Sequence, residues 1–425
     1  MPPTLEDQES ASTCRIFVGL AAEPSNVPQL ALVQLLEHIR SGLILLLSYE
    51  LQTPLSTIQT AVETLADGAA MPAQAQRSLL DLALSELNQL CHSVEGRLAY
   101  ATQLWSMTLD FAQFGSDQAT TVYLNSIFTA LPEATEGYQP WMETTRTLLT
   151  LFLQVIEDES NDAPKTIPPQ QIALLDQGRR NVLAIVNHEL RTPFTTLQVC
   201  LETLQSEVEP SIDTRQALLE VACEDLKRLC VLVRDLELLC RLEARQVYFQ
   251  TEWVDLGATL QATLSSFLEQ TSENVLSNIW IESAADLSPI WADGDRLVEV
   301  TQRLLENACR FTATTGEVKV NVEIASADGD EGCAQSAAEA STLIICISDT
   351  GRGISSEQLE RIFDCFHQEE GYLQRTTGGI GIGLTICRCL IEGMGGQIWA
   401  ESSGKQQGSR FCFTLPVYRE SETLF

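Results

Sequence analysis

A histidine followed directly by a glutamate is a pair of residues that could do chemistry. His188 and Glu189 lie in a segment whose apolar residues recur at intervals of three and four, which predicts an amphipathic helix. His188 falls between the apolar positions Val186 and Leu190, so it points away from the apolar stripe. A lone helical histidine is usually a solvated side chain. A neighbouring carboxylate, however, can orient an imidazole and make it more basic, which suits nucleophilic attack.

Four segments in the C-terminal part could together bind a nucleotide. Asn307 lies on a predicted helix and offers a neutral oxygen to a magnesium ion. Asp349 follows a predicted strand, where its carboxylate can accept a hydrogen bond from an adenine amino group, and glycines up to Gly353 let the chain turn. After the double-phenylalanine segment 361–366, the glycine run 378–383 leads into another predicted helix, whose N-terminus can hold phosphates. One glycine-rich stretch alone is a weak signal, but these segments in this order indicate a nucleotide site.

The segment around His188 occurs twice. Residues 48–65 align without a gap on residues 187–204, at an offset of 139 residues, and nine of the eighteen positions are identical. Each copy predicts a helical hairpin with an apolar stripe along both helices. Because two helices alone cannot enclose such stripes, the pattern predicts that two hairpins pair in a four-helix bundle, and hence a homodimer.

The spacing of apolar residues divides the chain into helical and mixed parts. The predicted fold class is multidomain, α and α+β, with helical-hairpin dimerisation bundles followed by an α/β sandwich that binds the nucleotide. The predicted domains are a disordered tail at 1–30, a degenerate hairpin at 31–95, a helical connector and linker at 96–170, the hairpin with His188 at 171–246 and an α+β domain at 247–420.

Charge and cysteine usage exclude several classes of function. The net charge of −32 repels phosphate backbones and anionic lipids, so we expect no nucleic-acid partner. The longest N-terminal apolar run, 43–47, is far shorter than the roughly 20 residues of a membrane span. The thirteen cysteines contain no C-x-x-C pair and are interpreted as buried free thiols in a reducing cytosol. The sequence therefore predicts a cytoplasmic protein without a membrane span.

The motif His-Glu-Leu-Arg-Thr-Pro at 188–193 resembles the phospho-acceptor box of bacterial two-component sensor histidine kinases. The four nucleotide-binding segments resemble the N, first glycine, F and second glycine boxes of the same family, in the same order, and the resemblance covers about 171–420. It implies a protein-histidine kinase in which His188 is phosphorylated from ATP. In that kinase, Glu189 would act as the base, and Thr192 would position water for phosphatase action on the partner.

The resemblance also implies the residues of the ATP and Mg²⁺ site. Asn307 would hold Mg²⁺, and Asp349 would bind adenine. Arg303 departs from the family, which commonly has asparagine there, so this arginine could weaken metal binding or touch a phosphate directly. Arg310 stands in the usual lysine position. The predicted nucleotide-binding residues are Asn307, Arg310, Asp349, Gly351, Gly353, Phe363, Gly379, Gly381 and Gly383.

The resemblance further implies a partner, and two other function classes stay open. The phosphoryl group would pass to the receiver domain of a separate response regulator. A scaffolding pseudokinase would explain Arg303 and the degenerate first hairpin. An ATPase of the gyrase and chaperone type fits less well, because Arg303 stands where that class has a glutamate, four residues before the magnesium ligand.

The first hairpin has lost the acceptor. Tyr49 stands in the position of His188, and a phenol with an unperturbed pKa of about 10 is a weak nucleophile at neutral pH. Glu50, Thr53 and Pro54 are retained, together with the apolar stripe. We predict that this hairpin strengthens dimerisation without accepting phosphate; the alternative is a decayed duplication with no role.

Overall fold

The computed structural model describes residues 48, 51–67, 71–114, 169–206, 210–243, 246–270, 279–283, 289–325, 342–367 and 380–416. These residues form two compact units that divide between Cys240 and Arg241, which we call the helical unit and the sheet unit. The tail predicted at 1–30, most of the connector predicted at 96–170, and Tyr49 and Glu50 lie outside the described residues. The domain boundaries stay predictions. No helix in the described part of the chain has a stretch long and apolar enough to cross a lipid bilayer.

The helical unit contains two helical hairpins within its described residues. The first consists of α1 (51–66) and α2 (Ala73–Phe114), and the second of α3 (Pro169–Gln205) and α4 (Ile212–Glu243). Ser211 Oγ accepts the N–H of Thr214 at 3.2 Å and so caps the N-terminus of α4. The helical-hairpin region that the sequence predicted is therefore confirmed.

The two hairpins repeat each other in structure as well as in sequence. Gln59 Nε2 donates to Glu63 Oε1 at 2.8 Å in α1, and Gln198 Nε2 donates to Glu202 Oε1 at 2.9 Å in α3. Both pairs have the i, i+4 spacing that places two side chains on one face of a helix. The two pairs occupy equivalent positions of the repeat, which shows that both copies have the same local structure.

The apolar stripes of the described hairpins are buried. Ile58 and Leu197, which are equivalent in the repeat, are both fully buried. Further core residues are Leu51, Leu55, Val62, Leu87, Leu190, Leu201, Leu226, Leu229, Val233 and Leu236. Because α2 packs against α3, the first hairpin pairs with the second inside one chain. The four-helix bundle that the sequence analysis expected from two copies is thus present within a single chain.

The sheet unit is a two-layer α/β sandwich, as the sequence predicted. Its strands are β1 (Glu252–Val254), β2 (Ile279–Ser283), β3 (Ile290–Ala292), β4 (Val318–Ala325), β5 (Thr342–Asp349), β6 (Ile398–Glu401) and β7 (Ser409–Pro416). The main sheet has the order β2-β4-β5-β7-β6, in which β2 and β4 are parallel and all other neighbours antiparallel. The helices are α5 (Leu256–Gln270), α6 (Gly294–Phe311) and α7 (Gly383–Gly393). α6 packs against α5, α7 and the sheet.

The orientation of α6 is set by its N-cap and by its buried face. Asp293 Oδ1 accepts the N–H of Arg296 at 3.1 Å, and Oδ2 accepts the N–H of Gln250 at 2.8 Å. The buried residues of α6 are Leu297, Val300, Thr301, Leu304, Leu305 and Ala308. Asn307 lies beside this buried face and is only half-buried, so its side chain can reach a ligand.

The prediction that all cysteines are free thiols was wrong for one pair. Cys346 of β5 and Cys412 of β7 form a disulfide. They are register partners in the antiparallel pairing of these strands, with Cα atoms 4.1 Å apart, and both are buried. The sequence could not show this, because only the pairing of two strands that are distant in the chain makes the cysteines neighbours.

The burial of α1 implies that the first hairpin stabilises the bundle. Ile58→Ala leaves a cavity at a fully buried position, and we expect a loss of about 2–5 kcal/mol in the free energy of unfolding. The matched control is Leu82→Ala on α2, where the side chain is 42% exposed and should lose far less. Urea unfolding followed by helical circular dichroism measures both. Equal stability of the two variants would contradict the packing of α1 in the core.

Candidate functional site

The predicted acceptor is an exposed histidine on α3. Half of the His188 side chain is exposed, so an incoming group can reach the ring. Its Nδ1 atom lies 3.5 Å from Glu189 Oε1, and only 16% of the Glu189 side chain is exposed. A carboxylate on this side favours the tautomer with the proton on Nδ1 and the lone pair on Nε2. Thr192 Oγ1, one turn further, donates to the His188 carbonyl oxygen at 3.1 Å, so the three predicted residues lie within one turn of α3.

In the sheet unit, the Asp349 carboxylate is fixed at the end of β5. Oδ1 accepts the N–H of Gly351 at 2.8 Å, and Oδ2 accepts the Ser409 hydroxyl hydrogen at 2.5 Å. The residue is buried. The two hydrogen bonds hold the carboxylate in one orientation, in which its remaining lone pairs can accept from an amino group of a base. Sequence analysis missed Ser409, because only the pairing of β5 with β7 brings it beside Asp349.

The two glycines after Asp349 are required by close backbone packing. A Cβ at Gly351 would lie 2.3 Å from the Phe311 carbonyl oxygen at the end of α6. Gly353 has a φ of +66°, and a Cβ there would lie 2.0 Å from the Gly404 carbonyl oxygen. The loop after β5 is therefore held between α6 and the loop that joins β6 to β7. These contacts set the position of Asp349 relative to α6.

On α6, arginines lie one turn before and one turn after the predicted magnesium ligand. Asn307 is half-buried, and Arg310, one turn later, is exposed. Arg303, one turn before Asn307, donates from Nη2 to Glu299 Oε1 at 2.8 Å. Glu299 also accepts from Arg296 Nη1 at 2.8 Å, so two arginines share its carboxylate. The neutral amide oxygen of Asn307 fits a magnesium ion that is also held by phosphate oxygens.

Phe363 is part of the core and positions the site from there. It is buried and meets Phe411 of β7 edge to face, with ring centroids 6.4 Å apart. The Arg388 guanidinium carbon lies 4.6 Å from the Phe363 ring centroid. Thr385 Oγ1 donates to the Phe363 carbonyl oxygen at 3.0 Å and so ties this segment to the first turn of α7. Sequence analysis missed Thr385, because a threonine at a helix start has many local uses.

The glycine run ends where α7 begins. Gly381 has a φ of +79°, and a Cβ there would lie 2.4 Å from the His367 carbonyl oxygen. The Gly381 carbonyl oxygen also accepts the N–H of Phe366 at 2.9 Å. Among the described residues, no heavy atom lies within 4 Å of a Cβ placed at Gly383, the first residue of α7. The N-terminus of a helix is a favoured position for phosphates. The predicted Gly379 lies outside the described residues.

Cys309 lies beside the Asp349 carboxylate. Burial, followed by the charges of Asp349 and Glu306, raises the pKa of the Cys309 thiol to about 11. The thiol therefore stays protonated at neutral pH and does not act as a nucleophile there.

The structure thus combines an exposed, carboxylate-flanked histidine on a helical hairpin with an α/β sandwich that holds the Asp349 carboxylate in one orientation. Residues 178–245 match the family model described as His Kinase A (phospho-acceptor) domain. Residues 292–419 match the model described as Histidine kinase-, DNA gyrase B-, and HSP90-like ATPase. The two matched segments are thus similar to a phospho-acceptor domain and to an ATPase domain of the histidine kinase type.

Two curated relatives show how far the similarity extends. The chain is 30% identical over 249 residues to the sensor histidine kinase WalK of Bacillus subtilis (strain 168), which covers 58% of this chain and 38% of WalK. It is 32% identical over 259 residues to the adaptive-response sensory kinase SasA of Microcystis aeruginosa (strain NIES-843 / IAM M-2473), which covers 59% of this chain and 61% of SasA. The chain thus spans less than two thirds of the length of either relative.

Among solved structures, the Acinetobacter baumannii histidine kinase AdeS is similar to this chain, with a TM-score of 0.41 and 24% sequence identity. The match covers 55% of this chain and 98% of that chain.

The raised pKa of Cys309 predicts how its alkylation depends on pH. A rise of its pKa from 9.0 to about 11 lowers the thiolate fraction about 100-fold at neutral pH, so alkylation should begin only in strongly alkaline solution. The pH midpoint of iodoacetamide labelling, followed by peptide mass spectrometry, measures this. Asp349→Asn removes a negative charge that raises the Cys309 pKa, so it should lower the pH midpoint of labelling. The unfolded chain is the control. A folded-state midpoint equal to the unfolded one would refute the placement of Cys309.

Proposed function

We propose that this chain is a protein-histidine kinase that phosphorylates His188 from ATP and passes the phosphoryl group to the receiver domain of a separate response regulator. The observation that carries the proposal is the exposed His188 ring beside the Glu189 carboxylate, inside the part of the chain that matches the phospho-acceptor model. The match of residues 292–419 to an ATPase model supports ATP as the phosphoryl donor.

On the acceptor side, Glu189 prepares the imidazole. Its carboxylate attracts the Nδ1 proton, and Nε2 of the half-exposed His188 ring would form the new N–P bond. As positive charge develops on the ring during attack, the carboxylate stabilises it and takes up the Nδ1 proton. The P–O bond to the leaving nucleotide breaks in the same step, which releases ADP. Exposure of the phosphorylated ring then permits transfer to a receiver aspartate.

On the donor side, the described residues hold and orient the nucleotide. ATP would supply the phosphoryl group, and Mg²⁺ would offset its negative charge. Asp349, fixed by Gly351 and Ser409, would accept from the adenine amino group. The N-terminus of α7, which begins at Gly383, would hold phosphate oxygens. Asn307 would hold Mg²⁺ through its amide oxygen.

The other function classes have less support. A gyrase- or chaperone-type ATPase needs a carboxylate to activate water four residues before Asn307, but Arg303 stands there and pairs with Glu299. A pseudokinase would not need both the His188–Glu189 pair and an oriented Asp349.

A cytoplasmic location stays a prediction. So does association of two chains, although the second hairpin on which the homodimer prediction rested is supplied here by the same chain.

Loss of the nucleophile tests the proposal directly. We expect His188→Gln to abolish acid-labile labelling by gamma-labelled ATP, while nucleotide binding persists because the sheet unit is unchanged. His92→Gln is the matched control, since His92 is an exposed helical histidine of the first hairpin and should label like the parent. Acid-labile phosphate on the His188→Gln variant would refute the assignment.

The Thr192 hydroxyl should matter after transfer rather than during it. We propose that Thr192 positions water against the phosphorylated receiver, so Thr192→Ala should keep most autophosphorylation but slow partner dephosphorylation several-fold. Thr195→Ala is the control, because Thr195 is equally exposed and makes the same kind of bond, to the Arg191 carbonyl oxygen at 2.9 Å. The measurement is the decay of phosphorylated receiver. Equal rates of receiver dephosphorylation with Thr192→Ala and Thr195→Ala would refute the proposed role of Thr192.

A further inference from the structure

The two hairpins contact each other through equivalent residues. Arg215 Nη2 donates to Gln76 Oε1 at 3.0 Å, and these residues are 139 positions apart, which is the offset of the repeat. Two equivalent residues can meet only where a two-fold axis passes between them. In a homodimer this would be one residue meeting its own copy. Here the axis is a pseudo-two-fold axis inside one chain.

Further polar contacts join the two hairpins across the bundle. Cys230 Sγ donates to Gln59 Oε1 at 3.5 Å. The equivalent positions in the other copy hold the same residue types, Cys91 and Gln198. Further links join Gln52 to Glu237 and Gln205 to Asp81, one near each end of the bundle.

The apolar core is already closed by these four helices. Equivalent stripe residues of the two hairpins are buried to the same degree, as Leu87 and Leu226 illustrate, with 0% and 1% exposed. A hairpin needs only one partner hairpin to cover its stripe. Since both hairpins are on one chain, their pairing avoids the translational entropy that a second copy would lose on association. The closed core therefore disfavours recruitment of another chain.

We infer that the first hairpin takes the place of a second copy's phospho-acceptor hairpin, so that one chain makes a complete bundle and works as a monomer with a single acceptor histidine. Tyr49 replaces the acceptor in the first hairpin, so the bundle offers one phosphorylatable ring and one receiver-docking side. The pairing of the hairpins is independent of the activity. The functional consequence, phosphorylation of His188 by the ATP-binding domain of the same chain, rests on the proposed kinase function.

The mass of the full chain tests the monomer. Light scattering over a wide range of concentration should give the mass of one chain, 46.8 kDa, throughout. A species with the mass of two chains would overturn the inference.

Cross-linking tests which hairpins pair. Gln59→Cys places a thiol near Cys230, and a short bismaleimide should join the two positions. We expect a linked peptide pair inside a product that migrates with the mass of one chain on a denaturing gel. The matched control is Thr60→Cys, at an exposed neighbouring position, and the parent chain reports background from native cysteines. A product with the mass of two chains, or no link between positions 59 and 230, would overturn the inference.

Complementation tests the functional consequence. A His188→Gln chain keeps its ATP site, and an Asn307→Asp chain keeps its acceptor, so the two co-expressed chains could restore labelling only by transfer between chains. We expect no labelling above that of the separate variants, and a parent labelling rate per chain that does not change with concentration. Label on the Asn307→Asp chain, or a rate that rises with concentration, would overturn transfer within the chain. If the parent itself takes up no label, the proposed kinase function is wrong. Light scattering and cross-linking would still show whether the two hairpins pair within one monomeric chain.

Discussion

A helical hairpin with an apolar stripe on both helices cannot be stable alone in water, and the helical unit is organised around this constraint. The stripe of α3 and α4 is covered by α1 and α2, which have the same stripe at the same spacing. Once the stripe is covered, His188 is held on the outside of a rigid bundle, with Glu189 beside it. The exposure of the acceptor is therefore a consequence of how the core closes.

In the sheet unit, the main constraint is the fixed orientation of the Asp349 carboxylate. Asp349 stands at the end of β5, and its two oxygens are occupied by a loop amide and by the Ser409 hydroxyl on β7. The loop is pressed between α6 and the β6–β7 loop so closely that only glycine fits at Gly351 and Gly353. Phe363 and Thr385 fix the start of α7 from the core side. The ligand-facing groups thus depend on contacts that never touch a ligand.

The repeat gives the helical unit an asymmetry that a homodimeric bundle would lack. Its two halves have apolar residues at equivalent buried positions, and they share side-chain hydrogen bonds such as the Gln59–Glu63 and Gln198–Glu202 pairs. At the position of His188 the first copy has Tyr49, so a histidine stands there in only one half of the repeat. The apolar positions that the core requires are retained in both halves.

The sequence by itself determined the acceptor motif, the order of the nucleotide-binding segments, the fold class and the repeat, because each depends on residue type and on spacings within one helix or loop. Tertiary structure alone decided which hairpin covers α3 and α4, since a stripe shows that it needs a partner but not which chain supplies it. It also decided the Ser409–Asp349 hydrogen bond and the Cys346–Cys412 disulfide, which exist only because β5 and β7 pair in one register. Strand register and helix partnership depend on contacts between residues that are distant along the chain, and local periodicity carries no information about them.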